Sequence, residues 1–222
     1  ALQRFLMQDM HEAATLPVAL ATMHNAVVTI GELQPGESVL IQGASSGVGL
    51  MAMQIAKLKG AKLVVGSSTD PMRRGRLKEF GADLAIDSSD PAWVDQVLKA
   101  TDGRGVDLIV DQVSGKVMNQ NMAATKIKGR IVNVGRLGGT HADFNFDLHA
   151  ARRIHYIGVT FRTRTIEEIR EIFDEVKKDI WPAVESRKLH LPIDKVYKFA
   201  DIGKAFEHME TNKHLGKIVV TM

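Results

Sequence analysis

Seven consecutive residues, Gly43-Ala44-Ser45-Ser46-Gly47-Val48-Gly49, hold the sharpest chemical signal in the chain. They follow a β-rich run, Ser38 to Gln42, and open a helix-length stretch, Val48 to Lys59. Glycines at such a turn let the backbone bend tightly and let its N–H groups approach a pyrophosphate at the positive end of the helix. The same glycines would also serve a ligand-free turn with close strand-helix packing; the α/β alternation around them favours a dinucleotide. A P-loop is excluded, since no Gly-Lys-Ser/Thr closes the motif, and the serines fall in no G-x-S-x-G elbow. The second strand ends Gly66-Ser67-Ser68-Thr69, without the acid that would hold a ribose 2′-OH and repel a 2′-phosphate. Arg73 and Arg74 follow one turn later, and a guanidinium suits a phosphate dianion. NADPH is therefore the expected cofactor, with a solvated arginine surface as the plainer alternative.

Composition removes other chemistries. The 222 residues include no cysteine, so disulfides, thiolate nucleophiles and cysteine-based zinc sites are excluded. None of the 8 histidines forms an i, i+4 helix pair around an acid, and no metal site is expected. Lys+Arg 29 against Asp+Glu 26, with the basic residues scattered apart from Arg73, Arg74 and Arg76, fits one anionic ligand better than a nucleic-acid face. No apolar run approaches the roughly 20 residues that span a bilayer. The expectation is a cytoplasmic protein that binds neither membrane nor nucleic acid.

Four apolar runs must position these residues: Ser38 to Gln42, Lys62 to Gly66, Val106 to Val110 and Arg130 to Val134. Their continuity is that of parallel strands covered on both faces. Helices are expected over Val48 to Lys59, over Pro71 to Phe80 with Asp70 as N-cap and Gly81 as terminator, and over Pro91 to Ala100 with Asp90 as N-cap. This alternation predicts a doubly wound α/β domain with a parallel sheet. Three segments follow: 1–30, a helical lead-in from about Gln8 interrupted at Leu16-Pro17; 31–160, the dinucleotide-binding domain; and 161–222, with a charged helix from Thr165 to about Lys178 and a closing strand-helix-strand unit. Ile154 to Val159 reads as the last strand of the sheet, an apolar edge that needs cover.

The chain resembles the medium-chain dehydrogenase/reductase superfamily, and within it the zinc-independent NADPH:quinone oxidoreductase, or zeta-crystallin-like, branch. The motifs are Ala14-Thr15-Leu16-Pro17 with Thr22, Leu33 to Ile41, the glycine turn, Phe80-Gly81-Ala82-Asp83, Gly103 to Asp107, Gly129 to Gly135 and Gly216 to Val220. The resemblance implies a Rossmann-type fold and, in the glycine turn that Gly43 and Ala44 begin, a pyrophosphate lined by Ser46, Gly47 and Val48. It puts Ser68 where NAD-specific relatives have their acid and Arg73 where quinone reductases have a phosphate-binding lysine. Thr22, Gly135, Phe161 and Arg162 match segments beside the nicotinamide, and Asn212 reaches the cofactor. Ser88 replaces a tyrosine near the adenosine phosphate, Met23-His24 replaces an aromatic pair, and Val18 stands near the position of a zinc-ligating cysteine.

The resemblance further implies hydride transfer from NADPH to a quinone or activated enone, a homodimer paired through the edge strand, and a GroES-like substrate domain before Pro17 that this sequence lacks. The segment 161–222 would then return toward that domain. The alternative is a module that binds NADPH without turnover. Catalytic residues are not identifiable from the sequence.

Overall fold

The computed structural model describes residues 10–222; Gln8 and Asp9, the start of the expected lead-in, lie outside them. The lead-in forms α1 (Met10–Thr15) and α2 (Pro17–His24), with Pro17 at the first helical position, where its missing N–H costs nothing. α2 continues through a wide turn, Asn25–Thr29, closed by Ile30 N–H donating to the Asn25 carbonyl.

Six parallel strands follow in the order β3-β2-β1-β4-β5-β6. They are β1 (Ser38–Gln42), β2 (Leu63–Ser67), β3 (Leu84–Ile86), β4 (Val106–Asp111), β5 (Thr125–Asn133) and β6 (His155–Gly158). This is the Rossmann order, with the reversal between β1 and β4. Val39 and Ile41 pack into one core with Val64, Leu108 and Val110, whereas Leu40 packs into the other with Val65, Ile109 and Ile131. Both faces are buried, which is why the strand sequences are continuously apolar.

On one face lies α3 (Gly47–Leu58), whose Leu50, Met51, Ala52, Met53, Ile55 and Ala56 are all fully buried. It is enclosed between the sheet and α2, so its apolar surface extends beyond the single stripe the sequence suggests. The other face is covered by α5 (Trp93–Ala100) and α6 (Met118–Ala124) through Trp93, Val97 and Met122.

Some boundaries differ from the sequence reading. The helix expected over Pro71 to Phe80 is split into α4 (Pro71–Gly75) and a 3-10 turn, Leu77–Phe80. Asp70 caps it by accepting the Arg73 N–H at 2.8 Å, and Gly81 ends it at φ 98°. α5 starts two residues later than expected, because the Asp90 carboxylate accepts the Ala92 N–H and holds Pro91 in a turn. β3, α6 and α7 (Phe146–Arg152) were not anticipated.

The C-terminal part contains α8 (Ile166–Asp179), opened by a capping box between Thr165 and Glu168, and α9 (Trp181–Glu185). The last unit is β7 (Ile193–Lys198), α10 (Ile202–Glu210) and β8 (Lys217–Thr221), its two strands paired in parallel. Just before β8, Gly216 bridges to Ser46. This contact brings the end of the chain onto the glycine turn. Among the described residues no helix is long and apolar enough to cross a membrane.

Candidate cofactor-binding site

The carboxyl ends of β1, β2 and β4 open into a cleft of about 700 Å³. Its floor is the glycine turn. Ser46 caps α3: its Oγ accepts the Gly49 N–H at 3.0 Å and also lies 2.8 Å from Gln112 Oε1. Helix geometry leaves the N–H groups of Gly47 and Val48 without intrahelical acceptors, so they and the helix dipole favour an anion. None of the lining residues is acidic, while Arg73, Lys116 and Lys217 are cationic. The lining therefore suits a negatively charged ligand.

A buried polar chain fixes the turn from below. Gly43 N–H donates to Ser67 Oγ (3.0 Å), Ser67 Oγ to Gln42 Oε1 (2.6 Å), Gln42 Nε2 to Asn121 Oδ1 (2.8 Å) and Asn121 Nδ2 to Asp111 Oδ2 (2.9 Å). Burial pushes the Asp111 carboxyl above its ordinary range, against the opposing pull of the Ser114 and Val113 amides and Asn121. The ends of β1, β2 and β4 and the middle of α6 are thus locked together at the mouth of the cleft.

At the end of β2, Ser68 is buried and its Oγ donates to Ser45 Oγ at 3.0 Å. Arg73 faces the cleft and donates from Nη1 to Asn212 Oδ1 at 3.3 Å. Its buried Nε has no hydrogen-bond partner; Asp70 Oδ1 is 3.9 Å away, beyond hydrogen-bond range. Arg74 turns elsewhere, binding the Ser68 carbonyl (2.8 Å) and Asp87 Oδ2 (2.9 Å). It shapes the β2-α4 turn and leaves Arg73 to face the cleft.

Of the residues singled out in the sequence, Gly43, Ser46, Gly47, Val48, Ser68, Arg73, Ser88 and Asn212 line this one cleft. Ala44 is fully buried and its N–H is spent on the Ser67 carbonyl, so it supports the turn from the core side. Thr22, Gly135, Phe161 and Arg162 lie outside the cleft lining. Gly135 sits so close to Gln112 that a Cβ would meet the Gln112 carbonyl oxygen at 2.6 Å. Phe161 lies under the Arg164 guanidinium. His24 is buried and bonds Asp179 Oδ2 at 2.9 Å. The sequence reading missed Lys116, His214 and Lys217, because only the fold brings these chain segments to the glycine turn. The conspicuous signal was Gly216, whose φ of 87° and close approach to the Pro192 carbonyl leave no room for a side chain.

A family model described as zinc-binding dehydrogenase matches residues 47–178. The chain belongs to that family, within the medium-chain dehydrogenase/reductases. Among solved structures, the CurF ER cyclopropanase from the curacin A biosynthetic pathway is 30% identical, with TM-score 0.81 over 97% of this chain and 63% of that one. An NAD-dependent alcohol dehydrogenase is 27% identical, with TM-score 0.82 over 97% and 60%. Among curated proteins, a phenolphthiocerol/phthiocerol polyketide synthase chain of Mycobacterium tuberculosis is 29% identical over 96% of this chain. The lovastatin diketide synthase lovF of Aspergillus terreus is 28% identical over 95%. This dehydrogenase/reductase chain spans 10% and 9% of those two synthases.

The family description names zinc, but the described residues of this dehydrogenase/reductase contain no group of three His, Asp or Glu side chains that could hold a metal ion. The cleft itself fits a dinucleotide: an acid-free lining, two open helix amides and a buried guanidinium nitrogen of Arg73 that makes no hydrogen bond.

Proposed function

We propose that this chain carries the NADPH site of a zinc-independent reductase that delivers hydride to a carbon-carbon double bond activated by a carbonyl, in a quinone or a conjugated enone. The observation that carries this reading is Arg73. Its buried Nε makes no hydrogen bond, with Asp70 Oδ1 3.9 Å away, and β2 ends Ser67-Ser68 without a carboxylate, an arrangement that suits a 2′-phosphate and offers no carboxylate to the ribose 2′-OH of NADH. Bound in the cleft, NADPH supplies the hydride. The chain's own residues bind and orient it: Ser46, Gly47 and Val48 face the pyrophosphate, and Arg73 with Asn212 holds the adenosine phosphate. Similar structures include enoyl reductases, among them JamJ at 26% and CurK at 28% identity, which supports the enone acceptor. We further propose that a GroES-like domain supplies the rest of the acceptor site and that the protein is a homodimer.

Two measurements test the reading. Titration calorimetry on Arg73→Ala is expected to show a loss of about 1–3 kcal/mol for NADPH and little change for NADH, since one charge-assisted hydrogen bond disappears. Equal losses for both cofactors would remove Arg73 from the 2′-phosphate. NADPH oxidation by the full-length protein is expected with conjugated enones or quinones; binding without turnover of any of them would leave a cofactor-binding module.

A further inference from the structure

The chain end packed on the glycine turn brings one more cation to the cleft. Lys217 is the first residue of β8, and its side chain lies across the first residue of α3: a Cβ at Gly47 would stand 2.9 Å from Lys217 Cε and 3.3 Å from Cδ. The Gly216 bridge to Ser46 fixes this approach from the backbone. The absence of a side chain at Gly47 therefore makes room for Lys217 as well as for a ligand.

No ion pair involving Lys217 forms among the described residues. Burial pushes the Lys217 ammonium below its ordinary range, and no neighbouring carboxylate offsets that effect. Lys217 is half-buried, so its ammonium is partly desolvated without a counter-ion, and an anion that arrives in the cleft offsets that cost. His214, also at the cleft, is likewise pushed down by burial, with Asp194 opposing and Arg73 and Lys217 reinforcing the shift. The local field at this end of the cleft is thus positive from three sides: the α3 amides, Arg73 and Lys217.

We propose that Lys217 is a binding residue for the diphosphate bridge of the dinucleotide, clamping it from β8 against the amides of Gly47 and Val48. This rests on the dinucleotide reading of the cleft and extends it by assigning the two cations to different phosphates. Arg73, beside the β2 terminus, selects the 2′-phosphate. Lys217, over the α3 N-terminus, meets the diphosphate that NADH and NADPH share. The C-terminal strand-helix-strand unit is then part of the cofactor site in its own right.

The test uses Lys217→Met and Lys217→Arg with four probes in titration calorimetry: inorganic pyrophosphate, NADPH, NADH, and adenosine 2′-monophosphate, which has no diphosphate. Lys217→Met is expected to weaken pyrophosphate, NADPH and NADH each by about tenfold or more, as loss of a charged hydrogen bond implies. Adenosine 2′-monophosphate should bind as to the parent, and Lys217→Arg should recover most of the loss. Circular dichroism checks that each variant is folded; if Lys217→Met does not fold, Lys217→Gln, which keeps a polar side chain and removes the charge, carries the test with pyrophosphate, and a parent-like affinity there would overturn the proposal. Parent-like binding of all probes by a folded Lys217→Met also overturns it, as does an equal loss for adenosine 2′-monophosphate. A parent chain that binds pyrophosphate through Lys217 but neither dinucleotide would sink the cofactor reading and keep the anion site.

Discussion

At Gly49 a Cβ would lie 2.6 Å from the Gly43 carbonyl oxygen and 2.7 Å from Ala44 Cα, backbone atoms that cannot retreat without opening the turn. At Gly47 the nearest atom is the flexible end of Lys217, with the Gly216 carbonyl oxygen at 3.3 Å. The two glycines thus do different things: Gly49 lets α3 pack on the end of β1, and Gly47 keeps the cleft wall thin. Gly49→Ala is expected to lower unfolding stability by about 1–3 kcal/mol through overpacking. Gly47→Ala should leave stability within about 0.5 kcal/mol, as for substitutions away from a packed core, and reduce dinucleotide affinity instead. Urea unfolding of both variants checks the division; similar losses would mean that Lys217 cannot move aside. The spaced glycines are plain in the sequence. Their separate roles are not, because one depends on a residue 170 positions away in the chain.

At the scale of elements, three helices are tied together at one carboxylate. Asp179, the last residue of α8, accepts from His24 at the end of α2 (2.9 Å) and from Lys59 just beyond α3 (2.7 Å). Burial alone would raise its pKa, but the bonds from Lys59 and His24 outweigh it and hold the carboxyl below its ordinary value. A depressed folded-state pKa contributes stability that is complete above the unfolded value, about 3.9, and is lost as pH falls through the folded value. Asp179→Asn is therefore expected to be less stable than the parent at neutral pH and to lose less stability on acidification below about pH 4. Parallel acid limbs for parent and variant, in thermal melts between pH 2 and 7, would show that the tie contributes nothing. The helices in this tie were legible from Pro17, the apolar spacing of α3 and the charged run from Thr165 to about Lys178. β3, α6 and α7 were not: β3 has three residues, α6 has no side-chain cap, and α7 has no fully buried residue to set a periodicity.

For the whole molecule, the order of continuous apolar runs and helical segments made the parallel sheet readable from the residues alone. The docking of β7 and β8 was not, because nothing local encodes which distant turn a closing unit will cover. The six-stranded sheet has two edges, β3 and β6, and β6 has no strand on its outer side among the described residues. Val159 N–H donates inward to the Asn133 carbonyl, and Ile157 pairs with Val132. By the two-residue alternation of a strand, the N–H and C=O groups of Ile157 face β5, and those of Tyr156 and Gly158 face outward. An exposed edge is a template for association, and pairing with the same edge of a second copy about a two-fold axis closes without growing into a filament. The homodimer proposed above uses these outward groups. Light scattering at micromolar concentration is expected to give twice the chain mass, and Tyr156→Pro, which removes an outward N–H, to give the monomer mass. A dimer that survives Tyr156→Pro would have to be built on another surface, and a monomeric parent would end the proposal outright. Ile157→Pro is the wrong probe of this interface, since it removes an N–H that serves β5 and weakens the sheet itself.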